Sequence, residues 1–370
     1  MADKIDIYFM AAALELAKKG RGTTSPNPMV GALVVRDREV VGRGYHRKAG
    51  TDHAEKIALR EAGEKARGAT LYVNVEPCCH HGRTPPCTDA IIESGIHRVV
   101  SAMTDDNPLV CGNGMACLER AGIETETGVL EDQARKLNEA YLKFIRSGLP
   151  FVTLKLASTL DGNFADFHGD STWITGPEAR QHVHRWRGMS DAVMVGVGTV
   201  LADNPRLTVR DAEGSDPLRV IVDSSLRTPV DANVLADGNV LIAATGQCNE
   251  ERLALFQQKG IDVWVLDALD NRVSLQQLLK KLGERSITSV FCEGGGTLST
   301  ALLRERLIDK IIFVIAPKII GKGIDSVGDI GIENIDRSLV LNDVEIDHAE
   351  NDVIIKGYPD YSKMNHKYVN

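Results

Sequence analysis

His53 stands two residues before Glu55, and a Pro77-Cys78-Cys79 cluster is followed by Cys87. One stretch therefore gathers an imidazole, a carboxylate and several thiols, a set suited to a hydrolytic metal centre. One imidazole and two thiolates hold Zn2+ and leave a fourth position for water. The metal lowers the pKa of that water towards neutrality. Glu55 stays off the metal and shuttles a proton from the water to a ring nitrogen, then to departing ammonia. His-x-Glu with a later Pro-Cys is the arrangement that zinc-dependent deamination of a nucleobase-like ring requires.

The second thiolate is ambiguous. In the usual form of the signature it lies three residues after the first. Here that position is His81, and the next thiol beyond Cys79 is Cys87. His53, Cys78 and Cys87 form one possible ligand set, and His53, Cys78 and His81 another. A Gly-Arg-Thr-Pro-Pro loop can return Cys87 to the metal, so chain geometry leaves both open. The bland reading, that these thiols are small buried apolar groups, does not account for the histidine and glutamate beside them.

The elements around these residues follow from periodicity and punctuation. Apolar residues at helical spacing predict a helix over 4–19, ended by Gly20. Ser25-Pro26-Asn27-Pro28 is an irregular loop. Strands are expected at 29–35, 40–44, 70–75, 98–103 and 123–127, with helices at 53–65, 87–94, 112–121 and 131–146. This order puts His53 and Glu55 at a helix start and Cys78 just beyond a strand end, so two elements supply one site. Ser147-Gly148-Leu149-Pro150 suits a linker. Beyond it, strands are expected at 151–157, 191–195, 218–222, 240–244, 262–266, 288–292 and 309–316. Thr175 and Pro177 open a helix that ends near Arg187, and 339–346 with 352–356 form a closing hairpin. Strands alternating with helices make both halves α/β. Glu293-Gly294-Gly295-Gly296 joins a strand to a helix. Such a turn exposes N–H groups that can cradle phosphate, although it lacks the GxGxxG spacing of a dinucleotide fold.

Composition narrows the partners. The chain has 370 residues, 43% hydrophobic and 25% charged, with a formal net charge of −8. That length favours two domains. An acidic balance without a long basic run argues against nucleic acid and for a small-molecule substrate. No apolar run is long enough to span a bilayer. Seven cysteines, an odd number, in a chain that does not open on a secretory pattern favour reduced thiols and a cytoplasmic location.

Glu76-Pro77-Cys78 and His80-His81-Gly82-Arg83-Thr84-Pro85-Pro86-Cys87 resemble the bifunctional deaminase–reductase family of riboflavin biosynthesis. In that family the long spacing is the rule. The resemblance therefore implies His53, Cys78 and Cys87 as zinc ligands, Glu55 as proton shuttle and Cys79 as a bystander. It implies that Asn27, His46, His80 and Arg83 contact the pyrimidine or its ribose phosphate. Asp105-Asp106-Asn107-Pro108 departs from the family's Asp-Pro-Asn-Pro, a change expected to loosen a turn.

The second half resembles the reductase domain of the same family. The match runs through Ser171-Thr172-Trp173-Ile174-Thr175, Gly198-Thr199-Val200-Leu201-Ala202-Asp203-Asn204-Pro205, Leu207-Thr208-Val209-Arg210 and Glu293-Gly294-Gly295. The resemblance implies NADPH against Ala157, Trp173, Thr199, Asp203, Ser224 and the turn of Gly295, Gly296, Thr297, Leu298, Ser299, Thr300 and Ala301. It places the phosphoribosyl substrate against Ser171, Arg187, Leu207, Arg210 and Glu293. Lys155 projects from a strand near the expected cofactor, where it either helps position substrate or is a surface lysine. The resemblance implies an N-terminal cytidine-deaminase-like three-layer domain, residues 1–146, followed by a dihydrofolate-reductase-like domain, residues 151–360. The chain would deaminate a diaminopyrimidinone phosphoribosylamine, then reduce ribosyl to ribityl, as a homo-oligomer. Two rivals are a nucleic-acid deaminase with an appended domain and a zinc-stabilised binding protein.

Overall fold

The computed structural model describes residues 3–80, 85–108, 110–171 and 174–364. It separates into two compact units, Met1–Gly148 and Leu149–Asn370.

The first unit contains β1 (Gly31–Arg36), β2 (Glu39–Tyr45), β3 (Thr70–Val73), β4 (Arg98–Ser101) and β5 (Glu124–Thr127). They form one sheet in the order β2-β1-β3-β4-β5. The β1 strand runs antiparallel to β2 and β3, while β3, β4 and β5 are mutually parallel. Around it lie α1 (Lys4–Ala17), α2 (Ala54–Ala62), α3 (Cys87–Glu93), α4 (Asn113–Arg120), α5 (Glu131–Leu137) and α6 (Glu139–Ser147).

Alternation along the strands divides the core in two. Ala32, Val34, Leu71, Val73 and Val99 pack with residues of α2, α3 and α4. Leu33, Val35, Tyr72 and Val100 face the other way, onto α1, α5 and α6. Because successive strand side chains point to opposite faces, the result is helix, sheet and helix in three layers. The sequence predicts one helix over 131–146, but Asn138 interrupts it with φ −105° and ψ 22°. Its buried side chain accepts from the Met29 N–H at 2.7 Å and donates to the Met29 carbonyl at 3.1 Å. That clasp ties α6 to the segment after Asn27.

The second unit contains β6 (Phe151–Thr159), β7 (Asn163–Asp166), α7 (Pro177–Gly188), β8 (Ala192–Gly196), α8 (Val197–Asp203), β9 (Leu218–Val222), β10 (Val240–Thr245), α9 (Glu250–Gln258), β11 (Asp262–Leu266), β12 (Ala268–Leu269), β13 (Arg272–Val273), α10 (Leu275–Glu284), β14 (Ser289–Cys292), α11 (Gly296–Arg304), β15 (Lys310–Ala316), β16 (Gly323–Asp325), β17 (Val340–Ala349) and β18 (Asp352–Asp360). The main sheet has nine strands in the order β11-β10-β9-β8-β14-β6-β15-β18-β17. It is parallel from β11 to β15 and antiparallel across β15, β18 and β17. Thr175 does not cap α7. The carboxylate of Asp352 accepts from the Gly176 N–H at 2.6 Å instead, and Pro177 fills the first turn. Connections after β8, β14 and β6 all emerge at the carboxyl edge, where ligands of open parallel sheets bind.

Candidate active sites

In the first unit, His53 is the residue immediately before α2, with extended backbone, and Glu55 lies in the first turn. Cys87 opens α3 and is buried. Its N–H donates to the Cys78 sulfur at 3.4 Å, and the Cys87 and Thr88 N–H groups both reach the Cys78 carbonyl. These bonds hold Cys87 beside Cys78, and both thiols meet the same imidazole. His53 Nδ1 lies 3.6 Å from Cys78 Sγ and 3.3 Å from Cys87 Sγ. A tetrahedral zinc with bonds of about 2.1 Å to nitrogen and 2.3 Å to sulfur separates such ligands by about 3.5 Å, so the donor set fits the metal. The Cys78 thiol is drawn down to about 4, first by the hydrogen bond from Cys87 and then by His53. The Cys87 thiol is held well above its usual value as the donor of that bond and by burial. A thiol drawn towards its thiolate form suits a Zn2+ ligand. His81, the rival ligand, and Arg83 lie outside the described residues.

Glu55 is buried, and its Oε2 has no partner among the described residues. Burial raises its pKa. A cleft of about 370 Å³ is lined by Asn27, His46, His53, Glu55, Glu76, Cys78, His80, Asp105, Asn107 and Tyr141, with apolar residues beside them. The Asn27 side-chain amide lies 3.0 Å from His46 Nε2, and His46 Nδ1 lies 3.2 Å from the Asp52 carbonyl. A carbonyl accepts only, so Nδ1 carries the proton and Nε2 accepts from Asn27. Burial lowers the His46 pKa. His80 Nδ1 is also buried without a partner among the described residues.

Nothing local in the sequence announces the back wall of this cleft. Glu76 Oε1 accepts from the Gly114 and Met115 N–H groups at 2.8 and 3.1 Å, and Oε2 from those of Gly112 and Asp105 at 2.8 and 3.2 Å. One carboxylate thus pins the start of α4 and the Asp105 loop to the strand end carrying Cys78. Asp105 in turn accepts from the Tyr141 hydroxyl at 2.7 Å. Asp106 pairs with Arg135 and Arg146, so the expected loose turn is tethered.

In the second unit, a pocket of about 820 Å³ opens at the carboxyl edge of the sheet. Of the residues singled out from sequence, Lys155, Ala157, Ser171, Arg187, Thr199, Asp203, Leu207, Arg210, Glu293, Gly295 and Gly296 line it. Ser224 lies further along the same edge, where its hydroxyl accepts from the Val273 N–H at 3.2 Å. Thr297, Leu298, Ser299, Thr300 and Ala301 form the first turns of α11 behind the glycines. Leu298 and Ser299 are buried, and the Ser299 hydroxyl donates to the Gly294 carbonyl at 3.0 Å. Trp173 lies outside the described residues.

The arginine expected to meet phosphate has another partner. Arg187 binds Glu293 with both prongs, Nε to Oε1 at 2.5 Å and Nη2 to Oε2 at 2.9 Å, and its Nη1 donates to the Thr208 carbonyl at 3.1 Å. The guanidinium holds Glu293 below its usual pKa against the opposing effect of burial. Lys155 is pushed down by burial, only partly offset by Glu293. The pocket floor therefore carries a lysine whose proton is loosened beside a carboxylate whose charge is fixed. The residues also fit a dinucleotide. Gly294, Gly295 and Gly296 present a bare backbone wall, and a Cβ on Gly294 would meet Leu298 and the Cys292 sulfur at 3.1 and 3.2 Å.

Comparison with known proteins covers both units. Residues 3–103 match the cytidine and deoxycytidylate deaminase zinc-binding region, and residues 150–355 match the RibD C-terminal domain. The chain is 46% identical to the riboflavin biosynthesis protein RibD of Aquifex aeolicus, over 96% of this chain and 99% of that one. It is 42% identical to RibD of Escherichia coli over 95% and 98% of the two chains. The crystal structure of Acinetobacter baumannii RibD superposes with a TM-score of 0.87 at 40% identity, covering 96% of this chain and 99% of that one. A Thermotoga maritima structure described as a diaminohydroxyphosphoribosylaminopyrimidine deaminase/5-amino-6-(5-phosphoribosylamino)uracil reductase gives 0.83 at 38% identity, with the same coverage of 96% and 99%. Among the described residues no helix is long and apolar enough to cross a membrane.

Proposed function

The chain belongs to the RibD family, the bifunctional deaminase–reductases of riboflavin biosynthesis, and we propose how its residues divide that work. It is an enzyme of small-molecule substrates, with a zinc-binding deaminase unit and a dihydrofolate-reductase-like unit. Residues 1–146 act as the deaminase and residues 151–360 as the reductase.

In the first unit His53, Cys78 and Cys87 hold zinc. Bound there, the metal supplies the Lewis acid that makes water a nucleophile near neutral pH. Asn27 and His46, already bonded to each other, present amide and imidazole to the pyrimidine. His80 and Arg83 take the ribose phosphate. Glu55 carries one proton from the attacking water to the ring nitrogen, then a second from the new hydroxyl on the ring carbon to the amino group, which departs as ammonia. The observation that carries this role is its buried, unpartnered Oε2 beside the ligand cluster. A raised pKa suits a group that must give the proton back.

In the second unit Ala157, Trp173, Thr199, Asp203, Ser224 and the Gly295–Ala301 turn hold NADPH, which supplies the hydride. Lys155, Ser171, Leu207, Arg210 and the Arg187–Glu293 pair hold the phosphoribosyl substrate while ribosyl becomes ribityl. Exposed Arg210 is the phosphate partner, because Arg187 is committed to Glu293. The protein works in the cytoplasm as a homo-oligomer. The edge strand β17, with Val344 and Ile346 49% and 62% exposed, supports that assembly.

Glu55→Gln tests the deaminase assignment. Zinc content should match the parent while ammonia release falls by about 10²–10⁴, the worth of a general acid–base group. Retained deamination in zinc-loaded protein would overturn it.

A further inference from the structure

Helix α7 turns Arg180, Gln181, His184 and Arg187 towards the reductase-unit pocket, at spacings that place them on one helical face. His184 has no part in the roles assigned above, yet it is only 7% exposed. Its Nδ1 lies 3.1 Å from the Thr208 carbonyl. Since a carbonyl only accepts, that nitrogen carries a proton. Burial first, and then the neighbouring guanidiniums of Arg187 and Arg210, lower its pKa. The other nitrogen, Nε2, is 3.8 Å from the exposed Asp211 carboxylate.

The same Thr208 carbonyl also receives Arg187 Nη1 at 3.1 Å. Two donors from consecutive turns of one helix therefore grip a single backbone oxygen. The residue before it, Leu207, has φ +56°. A branched side chain enters that left-handed region only where its surroundings hold it there. Leu207 is buried in the pocket wall, and Arg210 follows three residues on.

We propose that His184 is a positioning residue of the reductase. With Arg187 it clamps the Thr208 carbonyl, keeps Leu207 in its left-handed conformation, and so presents Leu207 and Arg210 to the phosphoribosyl substrate. This rests on the substrate contacts proposed above. It assigns His184 no contact with substrate or cofactor.

The test uses the full-length, zinc-loaded protein with His184→Ala and His184→Asn. An asparagine amide can donate where Nδ1 does; alanine cannot. With 5-amino-6-(5-phosphoribosylamino)uracil as substrate, His184→Ala should raise KM about tenfold, the worth of one hydrogen bond, with kcat nearly unchanged. NADPH binding, followed by its own fluorescence, should stay within about twofold, as should ammonia release by the other unit. His184→Asn should recover most of the loss. An unchanged KM in the alanine variant overturns the clamp, as does an asparagine variant no better than alanine. Parallel loss of NADPH and substrate binding would make His184 a packing residue and overturn it too. A parent protein that oxidises no NADPH would instead sink the reductase reading itself, which is visible before any variant is made.

Discussion

Glu76→Gln is the sharpest structural perturbation that the deaminase unit offers. The parent carboxylate, 3% exposed, accepts from the backbone N–H groups of Asp105, Gly112, Gly114 and Met115. Glutamine keeps the shape but has one acceptor oxygen. Its amide nitrogen must then face either Gly114 and Met115 or Asp105 and Gly112, donor against donor. Two charge-assisted bonds are lost, each worth about 1.5–3 kcal/mol. Allowing for relaxation of the loop, the cost is about 3 kcal/mol. With a urea slope of about 2 kcal/mol/M, the midpoint should fall by about 1.5 M. Two units preclude a single two-state curve, so the assay is hydrogen exchange against urea, read peptide by peptide. Peptides from residues 3–148 should lose protection early, while those from 149–364 hold their parent midpoint. A shift below about 0.3 M would refute the reasoning, because solvent would then be satisfying those N–H groups as well as Glu76 does.

Three further outcomes follow from the same geometry. Gly114→Ala places a Cβ 2.1 Å from the Pro77 carbonyl oxygen, and a backbone clash of that size should lower the first unit's melting temperature by about 5–10 °C in calorimetry. Asp6 is held below its ordinary pKa, chiefly by hydrogen bonds from Arg98; its stabilisation is complete above the ordinary carboxylate value and is lost as pH falls through the lower folded one. The melting temperature of the first unit should therefore drop below about pH 4, and Asp6→Asn should flatten that limb; matching slopes would contradict the pairing. After chelator challenge, elemental analysis should find zinc retained in Cys79→Ala and lost in Cys87→Ala; the reverse would move the ligand set.

Legibility from sequence tracked the range of the interactions. His53 at a helix start and Cys78 past a strand end follow from short-range periodicity, and the layered α/β architecture follows from the alternation of elements. The choice between Cys87 and His81 does not, because a proline-rich loop can close on either. Resemblance points to Cys87, and bonds from the Cys87 and Thr88 N–H groups to Cys78 hold that thiol beside its partner. Long-range partnerships were invisible. Arg187 looks like a phosphate reader until Glu293, 106 residues away, occupies its fork. Asp352 takes the capping position that local rules give to Thr175, across 176 residues. Asn138 breaks a helix whose pattern reads as continuous because its side chain finds Met29, 109 residues earlier. Glu76 stands in the sequence only as a letter of the motif, since nothing local announces the N–H groups it collects.

One chain is expected to perform both reactions in order. The most direct test supplies the zinc-loaded protein with the diaminopyrimidinone phosphoribosylamine and NADPH, and records ammonia and the NADPH absorbance in one cuvette. Ammonia release followed by an equivalent loss of NADPH is the predicted result. Ammonia without NADPH consumption would leave the first unit a deaminase and contradict the roles given to the second.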